Sequence, residues 1–356
     1  GYTELTLSNG MKVYVRQTDF EPDEVNLKLF SMGGKNLYPD ADMPNLTYLM
    51  AGATIGGVGQ YDDLALEKML AGKTATVAPY IDDDTEGMTG TSNVKDTETL
   101  LELVYLYFTQ PRKDPQAFKS LMEQQEAFLT NAHVNPMLAY NDTLHKVAYG
   151  TDRLASMDKE RLKKVSYDRI MQIYKERFAS AADFKLILTG NINLDKLRPL
   201  LCRYMAVLPS NNRTESIGTH GARLVDGKKT YIFHKEQATP TAITTIVIKG
   251  KMEYSNRNEL LMDAIGQLLR IVYTDKVREE KGGTYSVQVS GDLQHHPADE
   301  ALLRIAFQTD PQKYHELIPI VYEQLHKMAT EGPSQQDLDK VKAYERKVYN
   351  QVLRMN

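Results

Sequence analysis

Leu5-Thr6-Leu7-Ser8-Asn9-Gly10-Met11-Lys12-Val13-Tyr14-Val15 decides the reading of the fold. Leu5 and Leu7 alternate with polar residues before Asn9-Gly10, and Met11, Val13 and Val15 do so after it. Both residues of that dipeptide accept positive φ, which a tight hairpin turn requires. A hairpin at the outset argues against a purely parallel sheet. After Pro22, Val25, Leu27 and Leu29 keep the period of two, so another strand is expected there. Helical spacing then takes over, as at Leu100, Leu103, Val104 and Tyr107. Strands mixed with helices give an α+β class, a mixed but largely antiparallel sheet packed with helices.

A chain of 356 residues suits two domains rather than one core. With 42% apolar and 25% charged residues, the composition is that of an ordinary globular protein without a disordered tract. A formal charge of −4, with no cluster of cations and aromatics, gives no footprint for nucleic acid. Cys202 is the only cysteine, which excludes an internal disulfide scaffold and leaves the compartment open. No apolar run is long enough to span a membrane. The opening Gly1-Tyr2-Thr3 carries neither methionine nor a leader pattern and reads as a cut site.

Two stretches echo each other at an offset of about 218 residues, far beyond solenoid periods, which implies a duplicated domain. Tyr231-Ile232-Phe233-His234 stands where the hairpin stood, Pro240 matches Pro22, and Ile243, Thr245 and Val247 repeat the alternation of Val25, Leu27 and Leu29. The helix with Leu100 and Val104 corresponds to one with Leu317, Ile320, Val321 and Leu325. Each precedes a polar break, Pro111 to Pro115 or Glu331-Gly332-Pro333, and then a long helix beginning near Phe118 or Leu338. The first unit closes with a strand at Asp183 to Leu188. The second has no such ending and is expected to lack about 70 residues by analogy with the first. The expected organisation is two tandem homologous units, 1–209 and a truncated 223–356, joined by a polar, turn-rich linker at 210–222.

Val277-Arg278-Glu279-Glu280-Lys281-Gly282-Gly283-Thr284-Tyr285-Ser286 joins the second unit's first long helix to a strand. Leu261, Ile265, Leu268 and Val272 keep helical spacing before it, Tyr285, Val287 and Val289 alternate after it, and Gly282-Gly283 is a helix stop. Arg278 then sits at the negative end of the helix dipole, able to donate to a peptide carbonyl beside the phenol of Tyr285. A solvated arginine and a core tyrosine are the plainer alternative.

Taken in order, Leu7-Ser8-Asn9-Gly10-Met11-Lys12-Val13, Phe178 to Phe184 leading into Leu188-Thr189-Gly190-Asn191-Ile192, Tyr204 to Pro209, and Val277 to Ser286 resemble the pitrilysin or insulinase family of zinc peptidases, in its C-terminal noncatalytic half. The family's catalytic half carries an inverted H-x-x-E-H with a further glutamate as third ligand. Here Asn45-Leu46-Thr47-Tyr48-Leu49-Met50 and the helix around Glu259 to Arg270 occupy the corresponding places, without histidine. No two of His133, His145, His220, His234, His295, His296, His315 and His326 have the ligand spacing, so Glu123 and Glu126 read as solvated helix residues.

The resemblance implies zinc bound by the N-terminal catalytic half of the same polypeptide, none by this chain, and peptides or small proteins as substrates. It implies halves that close like a clamshell, with Arg278 and Tyr285 matching the positions that contact substrate and stabilise its carbonyl. A periplasmic or cell-envelope location follows by the same analogy. A catalytically inactive peptide-binding or scaffold subunit of the same family is the alternative.

Three other features read plainly. Asp82-Asp83-Asp84 with Glu86 fits no calcium loop and reads as a solvated turn. Gly56-Gly57-Val58-Gly59 lacks the Lys-Ser/Thr of a phosphate loop and reads as a helix stop. His295-His296 before Pro297 reads as a hairpin tip.

Overall fold

A computed structural model describes the chain apart from residues 133–134, 212, 282–286, 297 and 356, and gives only the backbone of 277–281 and 354–355. The chain divides into two compact units, Gly1–Arg223 and Leu224–Asn356.

Unit one holds strands β1 (Thr3–Thr6), β2 (Lys12–Gln17), β3 (Val25–Met32), β4 (Ala75–Ile81), β5 (Thr85–Ser92) and β6 (Lys185–Gly190) in the order β1-β2-β6-β3-β5-β4. Only β2 and β6 run parallel; the other pairings are antiparallel. The first hairpin forms as expected. Gly10 has φ 92°, and Asn9 accepts from Met11 N at 3.2 Å and donates to Met205 O at 2.8 Å, which ties the turn to the end of the unit.

The helices of unit one are α1 (Met43–Thr47), α2 (Leu49–Thr54), α3 (Asp63–Leu70), α4 (Thr97–Thr109), α5 (Pro115–Ala132), α6 (Pro136–Tyr149), α7 (Lys159–Leu162), α8 (Tyr167–Arg177) and α9 (Leu194–Leu200). Ser166 caps α8, its Oγ accepting from Arg169 N at 3.3 Å while its backbone oxygen accepts from Ile170 N. Ile170, Met171, Ile173 and Tyr174 recur at the 3.6 period and are buried in the core of unit one, with α8 packed on α1 and α2. Phe108 meets Phe178 and Phe184 edge to face, with ring centres 5.6 Å and 5.2 Å apart, while Phe178 and Phe184 lie nearly parallel. Such contacts contribute about 0.5–1.5 kcal/mol beyond the area they bury.

Unit two holds β7 (Ala242–Lys251), β8 (Val287–Gln294) and β9 (Glu300–Thr309), with α10 (Asn256–Lys281), α11 (Tyr314–Glu331) and α12 (Gln335–Met355). Its order β7-β9-β8 repeats the antiparallel β3-β5-β4 of unit one.

Three expectations need correction. Tyr231 to His234 enters no strand. Among the described residues nothing in unit two stands where β6 stands in unit one, and without that neighbour the stretch has no ladder to join. The alternation in β7 is displaced by one residue: Ile246 and Ile248 face the core opposite Ile305 and Leu303, whereas Val247 is 37% exposed. Val25 thus corresponds to Ala242 and Leu29 to Ile246, because directly opposite residues share a face and the buried residues of β9 are Leu303, Ile305, Phe307 and Thr309. Glu86, finally, is wholly buried rather than part of a solvated turn.

Candidate functional site

The helix carrying Arg278 is fixed to the strand that follows it by a close approach of two glycines. A Cβ on Gly291 of β8 would stand 2.1 Å from Met262 O, and one on Gly266 of α10 would stand 2.7 Å from Gly291 N. Only hydrogen fits between the two backbones there. Tyr273, buried two turns further along, donates to Val321 O at 3.0 Å and ties α10 to α11; burial holds its phenol well above the ordinary tyrosine range. Leu268 and Leu269 complete the buried face.

These contacts set the direction in which α10 delivers its last turns. The backbone of Arg278 lies within α10, three residues before its end at Lys281. Its side chain is not described, and Tyr285 lies outside the described residues. What is defined is the frame, α10 packed on β8.

A catalytic metal requires a donor set, and the described residues contain no group of three or more His, Cys, Asp or Glu side chains placed to hold one. In α1, where the resemblance would put a metal-binding helix, buried Asn45 accepts from Ser166 N at 2.7 Å and so positions α8, while Tyr48 meets Gln125 at 3.3 Å. Glu123 and Glu126 are exposed on α5. This side-chain set does not fit zinc. His295 lies in the β8–β9 turn, its Nδ1 2.7 Å from Asp299 and its ring stacked on Tyr254.

No motif or spacing along the chain pointed to the polar centre of unit one. Glu86 accepts from Gly34 N at 2.6 Å and lies 3.7 Å from Arg177. Arg177 Nη1 is 2.8 Å from Glu215, an ion contact without hydrogen-bond alignment, and its Nε donates to Tyr38 Oη at 3.0 Å. Tyr38 in turn donates to Glu176 at 3.0 Å. Arg213 bridges Asp183 at 3.2 Å and Glu215 at 3.3 Å. Burial pushes the Glu86 carboxyl up to about 7, against the opposing pull of Gly34 N–H and Arg177.

The stretch expected to be a loose linker is therefore clamped to unit one. Arg213 donates to Glu176 O at 2.7 Å, His220 N to Asn36 O at 3.0 Å, and a Cβ on Gly218 would collide with the backbone of Asn36 at 1.9 Å. A spacing rule between charges would not have found this centre, since its members come from five separate segments.

Both units are α+β, and among the described residues no donor set for a metal is assembled. The sequence profile described as Peptidase M16 inactive domain matches residues 164–344, and the chain belongs to that family. The probable zinc protease PqqL of Escherichia coli (strain K12) is 23% identical over 344 residues, covering 95% of this chain and 36% of the relative. The zinc protease PQQL-like protein of Arabidopsis thaliana is 24% identical over 385 residues, covering 100% and 36%. The chain thus spans just over a third of the length of these curated relatives.

Among solved structures, the periplasmic protease PqqL from Escherichia coli superposes with a TM-score of 0.85 at 20% identity, over 98% of this chain and 38% of that one. The ferredoxin protease FusC, solved as a mutant with Arabidopsis ferredoxin, gives 0.82 at 17% identity, over 99% and 38%. A peptidase M16 inactive domain from Pseudomonas fluorescens gives 0.73 at 18% identity, over 97% and 83%. At these identities the structures bear on the fold alone.

Proposed function

We propose that the chain is the C-terminal noncatalytic portion of a zinc metallopeptidase, forming part of a substrate chamber and presenting Arg278 and Tyr285 to the peptide. The observation that carries this reading is the match to the Peptidase M16 inactive domain over 164–344, a span that includes both residues. Relatives named zinc proteases, of which the chain covers 36%, support a larger protein whose remaining length supplies the metal ligands. Zinc there provides Lewis acidity toward the scissile carbonyl.

In this reading Arg278, on the last turns of the helix held by Gly266 and Tyr273, serves the substrate carbonyl. Guanidinium and phenol both donate there, and the gain grows as the oxygen acquires charge. The FusC–ferredoxin complex supports small proteins as well as peptides as substrates, and the periplasmic E. coli relative supports the cell envelope as the location.

The test is Arg278→Ala and Tyr285→Phe in the complete polypeptide, with turnover, KM and zinc content measured together. Reduced kcat at unchanged zinc content supports the reading. Wild-type kcat and KM in both variants would remove the pair from the site, and a complete polypeptide that binds peptide without zinc or cleavage would make it the scaffold subunit instead.

A further inference from the structure

The sheet of unit one buries one face and leaves the other open. Val13, Val15, Leu27, Leu29, Leu186 and Leu188 point into the core. Their alternates share the opposite face, and the register sets them in rows across it. One row runs Lys12, Lys185, Phe30, Gly87 and Tyr80 over β2, β6, β3, β5 and β4, and the next runs Tyr14, Ile187, Lys28, Thr89 and Ala78. Arg16 begins a third row, beside Thr189. Lys12, Arg16, Lys28 and Lys185 are exposed, while Tyr14, Phe30 and Ile187 are half-buried.

Cations from three strands thus gather on one face of a chain whose formal charge is −4. Lys12 stands directly beside Lys185 on the neighbouring strand, and like charges so placed cost stability. Lys12 is drawn back to Glu4 at 3.5 Å and to Thr6 Oγ1 at 2.9 Å. Lys28 and Lys185 each hold an ammonium 5.9 Å from the centre of the Phe30 ring, and neither they nor Arg16 meets a carboxylate among the described residues. The ring attracts each ammonium, but two ammoniums on one ring repel each other. The acids stand at the margins: Glu4 on the outer strand β1, Glu24 just before β3 and Asp82 just after β4.

We propose that the open face of this sheet binds an acidic stretch of polypeptide, its carboxylates seated against Lys28, Lys185 and Arg16 and its apolar side chains on Phe30, Ile187 and Tyr14. A carboxylate beside Lys28 and Lys185 neutralises a pair that the fold leaves uncompensated, and the half-buried rings and Ile187 supply apolar area to cover. Polypeptide fits this face better than nucleic acid does. Cations set within a margin of acids balance a few carboxylates, whereas a nucleic acid brings a phosphate with every nucleotide and is repelled by the net charge of the chain. That the bound polypeptide is a substrate rests on the peptidase reading; the surface and its charge do not.

Fluorescence anisotropy with the 356-residue chain decides it, the probes being a labelled peptide of glutamates interspersed with phenylalanines, the same peptide with lysine for glutamate, and single-stranded DNA. The acidic peptide should bind at least about tenfold more tightly than the basic one. Lys28→Glu combined with Lys185→Glu should weaken its binding at least about tenfold, and Lys28→Gln with Lys185→Gln by less, with circular dichroism confirming the fold of both variants. Equal affinity for the two peptides, or unchanged binding in the charge-reversed variant, would overturn the proposal. DNA bound more tightly than the acidic peptide, and released by the same charge reversal, would overturn it in favour of nucleic acid. In the complete polypeptide the reversal should lower kcat/KM for an acidic substrate relative to a neutral one by at least about tenfold. Acidic-peptide binding that obeys these expectations in a complete polypeptide without peptidase activity would support the surface and sink the peptidase reading alone.

Discussion

Arg177 Nη1 stands 2.8 Å from the Glu215 carboxylate, and that contact fastens residues 213–220 onto the body of unit one. Arg177 is the hub: remove it and Glu86 is left as a wholly buried acid without its cation, while Glu215 keeps only Arg213. Arg177→Ala is expected to cost about 3–5 kcal/mol, the range for breaking one side of a buried pair. Urea unfolding of unit one checks this, and proteolysis within 210–222 should accelerate in the variant. An unchanged midpoint would show the centre to be energetically idle.

Glu86 makes stability depend on pH. Its carboxyl is raised from the ordinary 4.5 to about 7, so the fold holds the proton more tightly than the unfolded chain does. The stability this proton brings is complete below about 4.5 and is lost as pH rises through about 7. Over that window the loss is on the order of 3 kcal/mol. Glu86→Gln keeps an acceptor for Gly34 N–H but cannot ionise, so its Tm should fall less than wild type between pH 5 and pH 8 at constant ionic strength. Parallel Tm curves would contradict the assignment.

Gly291→Ala should destabilise unit two selectively. The new Cβ would sit 2.1 Å from Met262 O, and neither backbone can yield without moving α10 off β8. Overpacking of this kind costs about 1–3 kcal/mol or more. Differential scanning calorimetry should show a lowered transition for unit two with that of unit one unmoved.

Tyr273→Phe removes the hydroxyl that meets Val321 O inside the core of unit two. Val321 O keeps its partner within α11, so what is lost is one buried hydrogen bond, about 0.5–1.5 kcal/mol. Chemical denaturation followed in unit two measures it, and a loss below about 0.5 kcal/mol would mean that α10 and α11 hold together by apolar packing alone.

In the complete polypeptide, losing either Arg278 or Tyr285 as a carbonyl donor should raise the barrier by about 2.7–4 kcal/mol, a hundred- to thousandfold fall. The fall belongs mainly to kcat if the donors act as charge develops, and to KM if they only grip the backbone. Steady-state kinetics separate the two. The purified 356-residue chain should hold no stoichiometric zinc by metal analysis, and one tightly bound ion would refute its noncatalytic assignment.

Much of the fold was legible because its signals are local. Asn9-Gly10 marks its own turn, Val25, Leu27 and Leu29 mark their own face, and the helix with Leu100 and Val104 marks its own stripe. The family, too, was carried by short ordered motifs. The frame of the candidate site was legible only as a helix ending before a strand. The glycine contact that orients it joins Gly266 to Gly291, and nothing in either neighbourhood announces the other.

By itself, then, the sequence determined the α+β class, the repeated arrangement of elements and the lack of a paired-histidine motif, since each depends on period or spacing along the chain. Tertiary structure alone decided which face of β7 is core. Ile243, Val247, Ile246 and Ile248 make both faces apolar, so alternation cannot choose, and the choice falls to the pairing of Ile246 with Ile305. It also decided the fate of Glu86: a carboxylate in an acidic run looks solvated until Arg177 and Glu215, distant in sequence, close over it and exclude water.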